Sequence, residues 1–373
     1  MSNGRRKSFW ERFAYKELSK IGPSTSASVE RLSADELSSI RKIRRSALLQ
    51  ASFAGATGVL LLYIPYHVLT GSVFPKRELF VPFGELKLTV EYEFYAYSLL
   101  LVLIEIWFLN YLNVKTVAKI ARACGFPEEI DDDYENNLSA LIAVGLEKKH
   151  KQLQSIGINP YLGLSKWKLL AYQVAIRFKA ALTNYAFKLV ISRLLGRYLL
   201  RVYIDLIGIP VYAFWNAYAT HRIIKEALVR IMAPPIIKKF ADSLFESYGQ
   251  NEQVRSIIYD SLQSISESKR SYHYNHFLLS ISLLNKFNVP VNEQQSFNPE
   301  IHRDLRTADE VVRKSFSKIL VFGIVIDGKV SKREIRLLEK MQSENIVPYS
   351  TEEIKSWAAD FSEGKGLDSL INN

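Results

Sequence analysis

One cysteine and three methionines in 373 residues leave little room for sulfur chemistry. Cys124 alone excludes an intramolecular disulfide framework, a CxxC zinc site and a thioredoxin-like site, and the six histidines contain no HExxH spacing. The chain also lacks a GxGxxG after a strand pattern, a P-loop, a GxSxG elbow and a kinase signature. No convergent acid, base and nucleophile can be assembled, so neither an enzyme nor an organic cofactor is expected. Formal charge is missing too, over one long stretch: from Ser46 to Pro75 there is no Asp, Glu, Lys or Arg.

What the chain does have is unevenly distributed. It is 48% hydrophobic and 23% charged, with a mean hydropathy of −0.02, so apolar residues must gather in some segments and charges in others. Ala47–Thr70 is long enough to cross about 30 Å of hydrocarbon as a helix, and Phe94–Val114 meets the same criterion with Glu105 as its only charge. Tyr63, Tyr66, Tyr95 and Tyr97 fall at one level of this pair, Trp107 and Tyr111 towards the other, as in the aromatic belts of membrane spans. The polar first 45 residues place the apolar run too late for a cleaved signal.

The net charge of +11 comes from 49 basic and 38 acidic residues. Residues 1–46 hold 11 basic and 5 acidic residues, whereas 223–373 balance at 20 and 20. The excess therefore flanks the apolar stretches, which fits a membrane surface better than nucleic acid. Arg41, Lys42, Arg44 and Arg45 abut the first span and Lys115, Lys119 and Arg122 follow the second, so the N- and C-termini are expected in the cytoplasm of a multi-pass inner-membrane protein. Between the spans, Leu86, Leu88, Val90, Tyr92 and Phe94 alternate with polar residues, which predicts a small external β-hairpin. Ala47, Ala51 and Gly55, with Ala54 and Gly58, form a small-residue stripe whose partner is expected to be the second span or a second copy of the chain.

Residues 169–222 read as a basic amphipathic or membrane-embedded helical hairpin, with two spans preferred and four as the alternative. Arg193, Arg197, Arg201 and Asp205 lie four apart and form one stripe of a helix, while 202–220 could span once with Pro210 as a kink. Glu105, inside the second span, calls for a partner such as Gln50 or Thr57, or for a polar path. The acidic run Glu128, Glu129, Asp131, Asp132, Asp133 and Glu135 reads as acids opposing a helix dipole rather than as a metal site.

The last 150 residues show helical periodicity near 223–247, 251–268, 273–287, 306–325, 331–344 and 351–361, punctuated by Pro234-Pro235, Pro290, Pro299 and Pro348. Ser331 with Glu334 three residues on predicts a capping box. Through Asp327, Gly328, Val330 and Glu334, the stretch 316–362 resembles the TerB-like helical domain of tellurite-resistance proteins. That resemblance implies either a scaffold near a membrane or a metal-associated domain, with Asp327 and Glu334 as the residues that would take a divalent cation. The same spacing matches the second half of an EF-hand loop, but Gly323 and Val325 stand where its first acidic ligands belong. The whole chain also resembles a family of uncharacterised bacterial integral membrane proteins.

The expected architecture is mainly α. A basic arm (1–45) precedes a transmembrane hairpin (46–114), a helical segment (115–168), the basic hairpin (169–222) and a cytoplasmic helical TerB-like domain (223–373). The function this supports is a membrane-anchored scaffold or sensor. Its partners would be the lipid bilayer, a protein bound by the C-terminal domain and a second copy of the chain, without nucleic acid. The alternative is a small transporter or channel using Glu105 and the Arg193–Asp205 stripe.

Overall fold

Apolar stretches longer than 20 residues with at most one charge are most readily helical, since a helix satisfies its own backbone, and two such helices dominate the first third of the chain. The computed structural model describes residues 9–20, 31–69, 72–75, 77–80, 87–126, 206, 208–270, 273–290, 298 and 301–372. The Arg193, Arg197, Arg201 and Asp205 stripe, the acidic run 128–135 and the rest of 127–205 lie outside the described residues. The protein is mainly helical, and two helices, α2 (Ala34–Val68) and α3 (Tyr92–Ala123), are long and apolar enough to cross a membrane.

Two compact units contain the described residues: one draws on 43–116 and 165–222, the other on 1–42, 117–164 and 223–373. Helices α2, α3 and α4 (Gly208–Tyr248) contribute to both.

In the first unit, α2 and α3 run antiparallel. The Tyr66 hydroxyl donates to Glu91 Oε1 at 3.2 Å and the Tyr97 hydroxyl to the Leu61 carbonyl at 2.7 Å. Tyr66, Phe74 and Phe94 pack beside them, with ring centroids 4.5 Å apart for Tyr66 and Phe94. Between the two helices, β1 (Arg77–Phe80) pairs antiparallel with β2 (Lys87–Val90), Arg77 opposite Val90 and Phe80 opposite Lys87.

The small-residue stripe meets two neighbours: Gly58 faces Glu105 of α3, as expected, while Gly55 faces α4. A Cβ on Gly55 would lie 2.6 Å from the Tyr212 carbonyl oxygen, so it is the backbone of α4 that approaches α2 there. Val59 lies beside Gly208. The contacts pair 55 with 212 and 59 with 208, so α4 runs opposite to α2 and therefore in the same sense as α3.

The second unit is built on α5 (Glu252–Lys269), α6 (Tyr274–Lys286), the short α7 (Ile301–Asp304), α8 (Glu310–Val325), α9 (Lys332–Ser343), α10 (Thr351–Ser362) and α11 (Asp368–Asn372). Helix α8 is apolar on every side from Ile319 to Val325, and such a helix must be enclosed. It packs on α5 and α10, and Phe322 stacks on Phe240 of α4 with centroids 3.8 Å apart. The Pro234-Pro235 pair, read as punctuation, lies inside α4. Each proline removes a backbone hydrogen bond and costs a helix interior about 3 kcal/mol, but Met232, Ala233, Ile236 and Ile237 around the pair are buried, and that burial offsets the loss.

The N-terminal segment is more than a basic arm. It carries α1 (Phe9–Ser19), whose Ala14 and Leu18 are buried. Ser33 and Glu36 close a capping box at the start of α2, and Leu32 donates a backbone hydrogen bond to the Gly364 carbonyl at 3.0 Å.

Candidate functional site

Glu105 was singled out as an acid in an apolar helix, and its partner is neither Gln50 nor Thr57. Asn216 of α4 donates from Nδ2 to Glu105 Oε1 at 2.5 Å, while Gln50 bonds Ser46 on its own helix. Gly58 leaves room for the other oxygen: a Cβ there would sit 3.5 Å from Glu105 Oε2. Two turns further along α3, the Thr220 hydroxyl donates to Asn113 Oδ1 at 3.2 Å, and both residues are buried. Sequence reasoning missed Asn216 and Thr220. Their spacing of four within an aromatic-rich segment was the available signal, since it puts both on one helix face.

The second polar centre lies in the helical unit and gathers the two residues of the TerB-like resemblance. Asp327 ends the turn after α8, Gly328 takes a φ of +70°, and Ser331 caps α9. A side chain at 328 would also meet Val229 and Ser362 at 2.8 and 3.0 Å, so both conformation and space demand glycine. Glu334 closes the capping box: its Oε2 accepts from the Ser331 backbone N–H at 2.7 Å. Its other oxygen, Oε1, lies 2.8 Å from Lys269 Nζ, and Asp327 Oδ1 lies at the same distance. Lys269 also donates to the carbonyls of Ile324 and Lys329 at 2.9 and 2.7 Å. The ammonium thus occupies the centre of an oxygen cage, and Glu334 is fully buried.

A second knot adjoins the first. Glu226 of α4 holds Arg230 at 3.0 Å, Lys329 Nζ at 3.2 Å and His273 Nε2 at 2.7 Å. His273 Nδ1 accepts from the Asn275 backbone N–H, so its proton is on Nε2 and is donated to Glu226. Asn275 donates to the carbonyls of Val229 and Ile326, and His276 Nε2 donates to that of Gly323 at 2.9 Å. Lys329 joins the two knots, since its backbone N–H donates to Asp327 Oδ1 at 3.0 Å. Three cations (Lys269, Arg230, Lys329) face three carboxylates (Glu226, Asp327, Glu334).

The electrostatics follow from burial and pairing. Burial disfavours the Lys269 ammonium, but Asp327 and Glu334 outweigh it and hold its pKa above the usual lysine value. Burial likewise opposes the Asp327 carboxylate, and Lys269 wins there too, leaving its pKa below the ordinary one. For Glu334 burial prevails over Lys269, and Asp327 adds repulsion, so its pKa rises. Burial would raise Glu226 as well, yet His273, Arg230 and Lys329 carry it well below its usual range. Enclosure drives the pKa of His276 down to about 3.

The arrangement clasps α4, α5, α6 and the α8–α9 turn to one another. Among the described residues no group of three or more His, Cys, Asp or Glu side chains is placed to hold a metal. Lys269, Glu226, His273 and His276 were all missed in the sequence, because partners 47 to 103 residues apart leave no local pattern. Against protein-family models, curated proteins and solved structures the chain finds no match, and the TerB-like resemblance receives no support from them.

Proposed function

We propose that this chain is a membrane-anchored scaffold or sensor. In this reading α2 and α3 cross a bacterial inner membrane, both termini are cytoplasmic, and the helical unit presents its surface to a protein partner. The observation that carries the anchor is where apolar surface is left uncovered. Among the described residues, every exposed large apolar side chain except Phe9 and Val311 belongs to the unit containing 43–116 and 165–222. Phe53 is 73% exposed and Leu99 61% exposed. A core helix of a water-soluble protein would be covered, and a contiguous apolar surface of this extent needs another medium.

Glu105 supports anchoring over transport. Among the described residues its carboxylate is bonded to one neighbouring amide, which is how a static helix contact satisfies an acid in an apolar setting. In this reading Lys269 takes the place of a divalent cation between Asp327 and Glu334. Alkaline carbonate washing of membranes tests the reading. The full chain should stay in the pellet, and Glu105→Gln, which keeps an acceptor for Asn216, should stay there at unchanged abundance. Release of the wild-type chain into the wash would refute anchoring.

A further inference from the structure

α4 is not apolar enough over its length to be counted with α2 and α3 as a span. We infer that its first four turns, 208–222, are nevertheless a third membrane-embedded element, an arm whose outer face is covered by lipid acyl chains. The inference rests on the membrane reading of α2 and α3.

Three observations lead to it. The inner face of the arm is fully committed to those two helices: Gly208 beside Val59, the Tyr212 backbone against Gly55, Asn216 on Glu105 and Thr220 on Asn113. These contacts run along the apolar stretches of both helices, so whatever medium surrounds α2 and α3 surrounds the arm. No Asp, Glu, Lys or Arg occurs between Asp205 and Arg222. The outer face carries Phe214, 61% exposed, stacked on Tyr218 with centroids 6.0 Å apart, and Trp215 beside them. Uncovered aromatic rings in a row are a liability in water, whereas Trp and Tyr suit the margin of a bilayer.

The fifteen residues of 208–222 rise about 22 Å, and Gly208 stands beside Val59, the middle of the first apolar stretch. These residues therefore lie alongside the half of the bilayer next to the end of α3. They deliver the Asn216 amide to Glu105 at a depth where water cannot serve.

The test is collision accessibility of nitroxide labels on the full chain in phospholipid vesicles, with Cys124 replaced by Ser and single cysteines at Phe214, Tyr218, Leu99, Leu103 and Val311. Positions 214 and 218 should match 99 and 103, with an oxygen-to-nickel-chelate collision ratio several-fold above that at 311. If 99 and 103 behave as lipid-facing while 214 and 218 behave like 311, the arm lies in water and the inference is overturned although the spans stand. If 99 and 103 also behave like 311, the membrane reading itself fails, and the arm with it.

Discussion

Lys269 brings an ammonium into a site where water cannot solvate it, and the two carboxylates around it are there because of it. Removing it as Lys269→Met should strand both acids and cost about 3–5 kcal/mol. Adding Asp327→Asn and Glu334→Gln should recover most of that loss, as measured by chemical denaturation of the detergent-solubilised chain. His276 gives a pH dependence with a definite sign. Its pKa falls from 6.5 to about 3 on folding, so the unfolded chain binds the proton first and stability declines as pH drops from about 6.5 towards 3. Between pH 6.5 and pH 5 this amounts to about 2 kcal/mol, and His276→Gln should flatten that part of the profile. The pairing of Ser331 with Glu334 was legible because a capping box is local. The second duty of Glu334 was not, because Lys269 lies 65 residues away and enters from another helix.

Elements were more readable than their partners. The periodic segments of the last third correspond to helices within a few residues, since most have one apolar face and a recognisable cap. Pro234-Pro235 lies inside the helix read at 223–247 and does not break it, because burial around the pair overrides a local rule. The stripe at Ala47, Ala51 and Gly55 announced a close helix approach, expected to be to the second span or to a second copy, and at Gly55 the backbone of α4 supplied it instead. The same kind of approach joins α5 to α8. A Cβ on Gly323 would lie 2.2 Å from Ile265 Cδ1, so Gly323→Ala should destabilise the helical unit by about 1–3 kcal/mol. Pairing it with Ile265→Ala should cost less than the sum of the two single changes, as a double-mutant cycle would record.

For the whole molecule, the distribution of charge and of uncovered apolar surface carries the functional reading. Basic residues flank the apolar helices while 223–373 are electrically balanced, a pattern that composition alone exposes. The mainly helical fold and two helices long and apolar enough to cross a membrane were therefore legible. For 202–220 spanning and surface binding stayed open, because the residues it packs against, Gly55, Glu105 and Asn113, lie more than 100 residues away in the chain. The most direct test of cytoplasmic anchoring is labelling of intact cells with a membrane-impermeant maleimide. Cys124, buried with its pKa raised to about 12 by burial and by Glu36, is first replaced by Ser, and single cysteines are placed at the exposed Ser72 and Ser343. Anchoring by two spans predicts labelling at 72 in intact cells and at 343 only after lysis. Labelling at 343 before lysis, or protection of 72 until lysis, would contradict it.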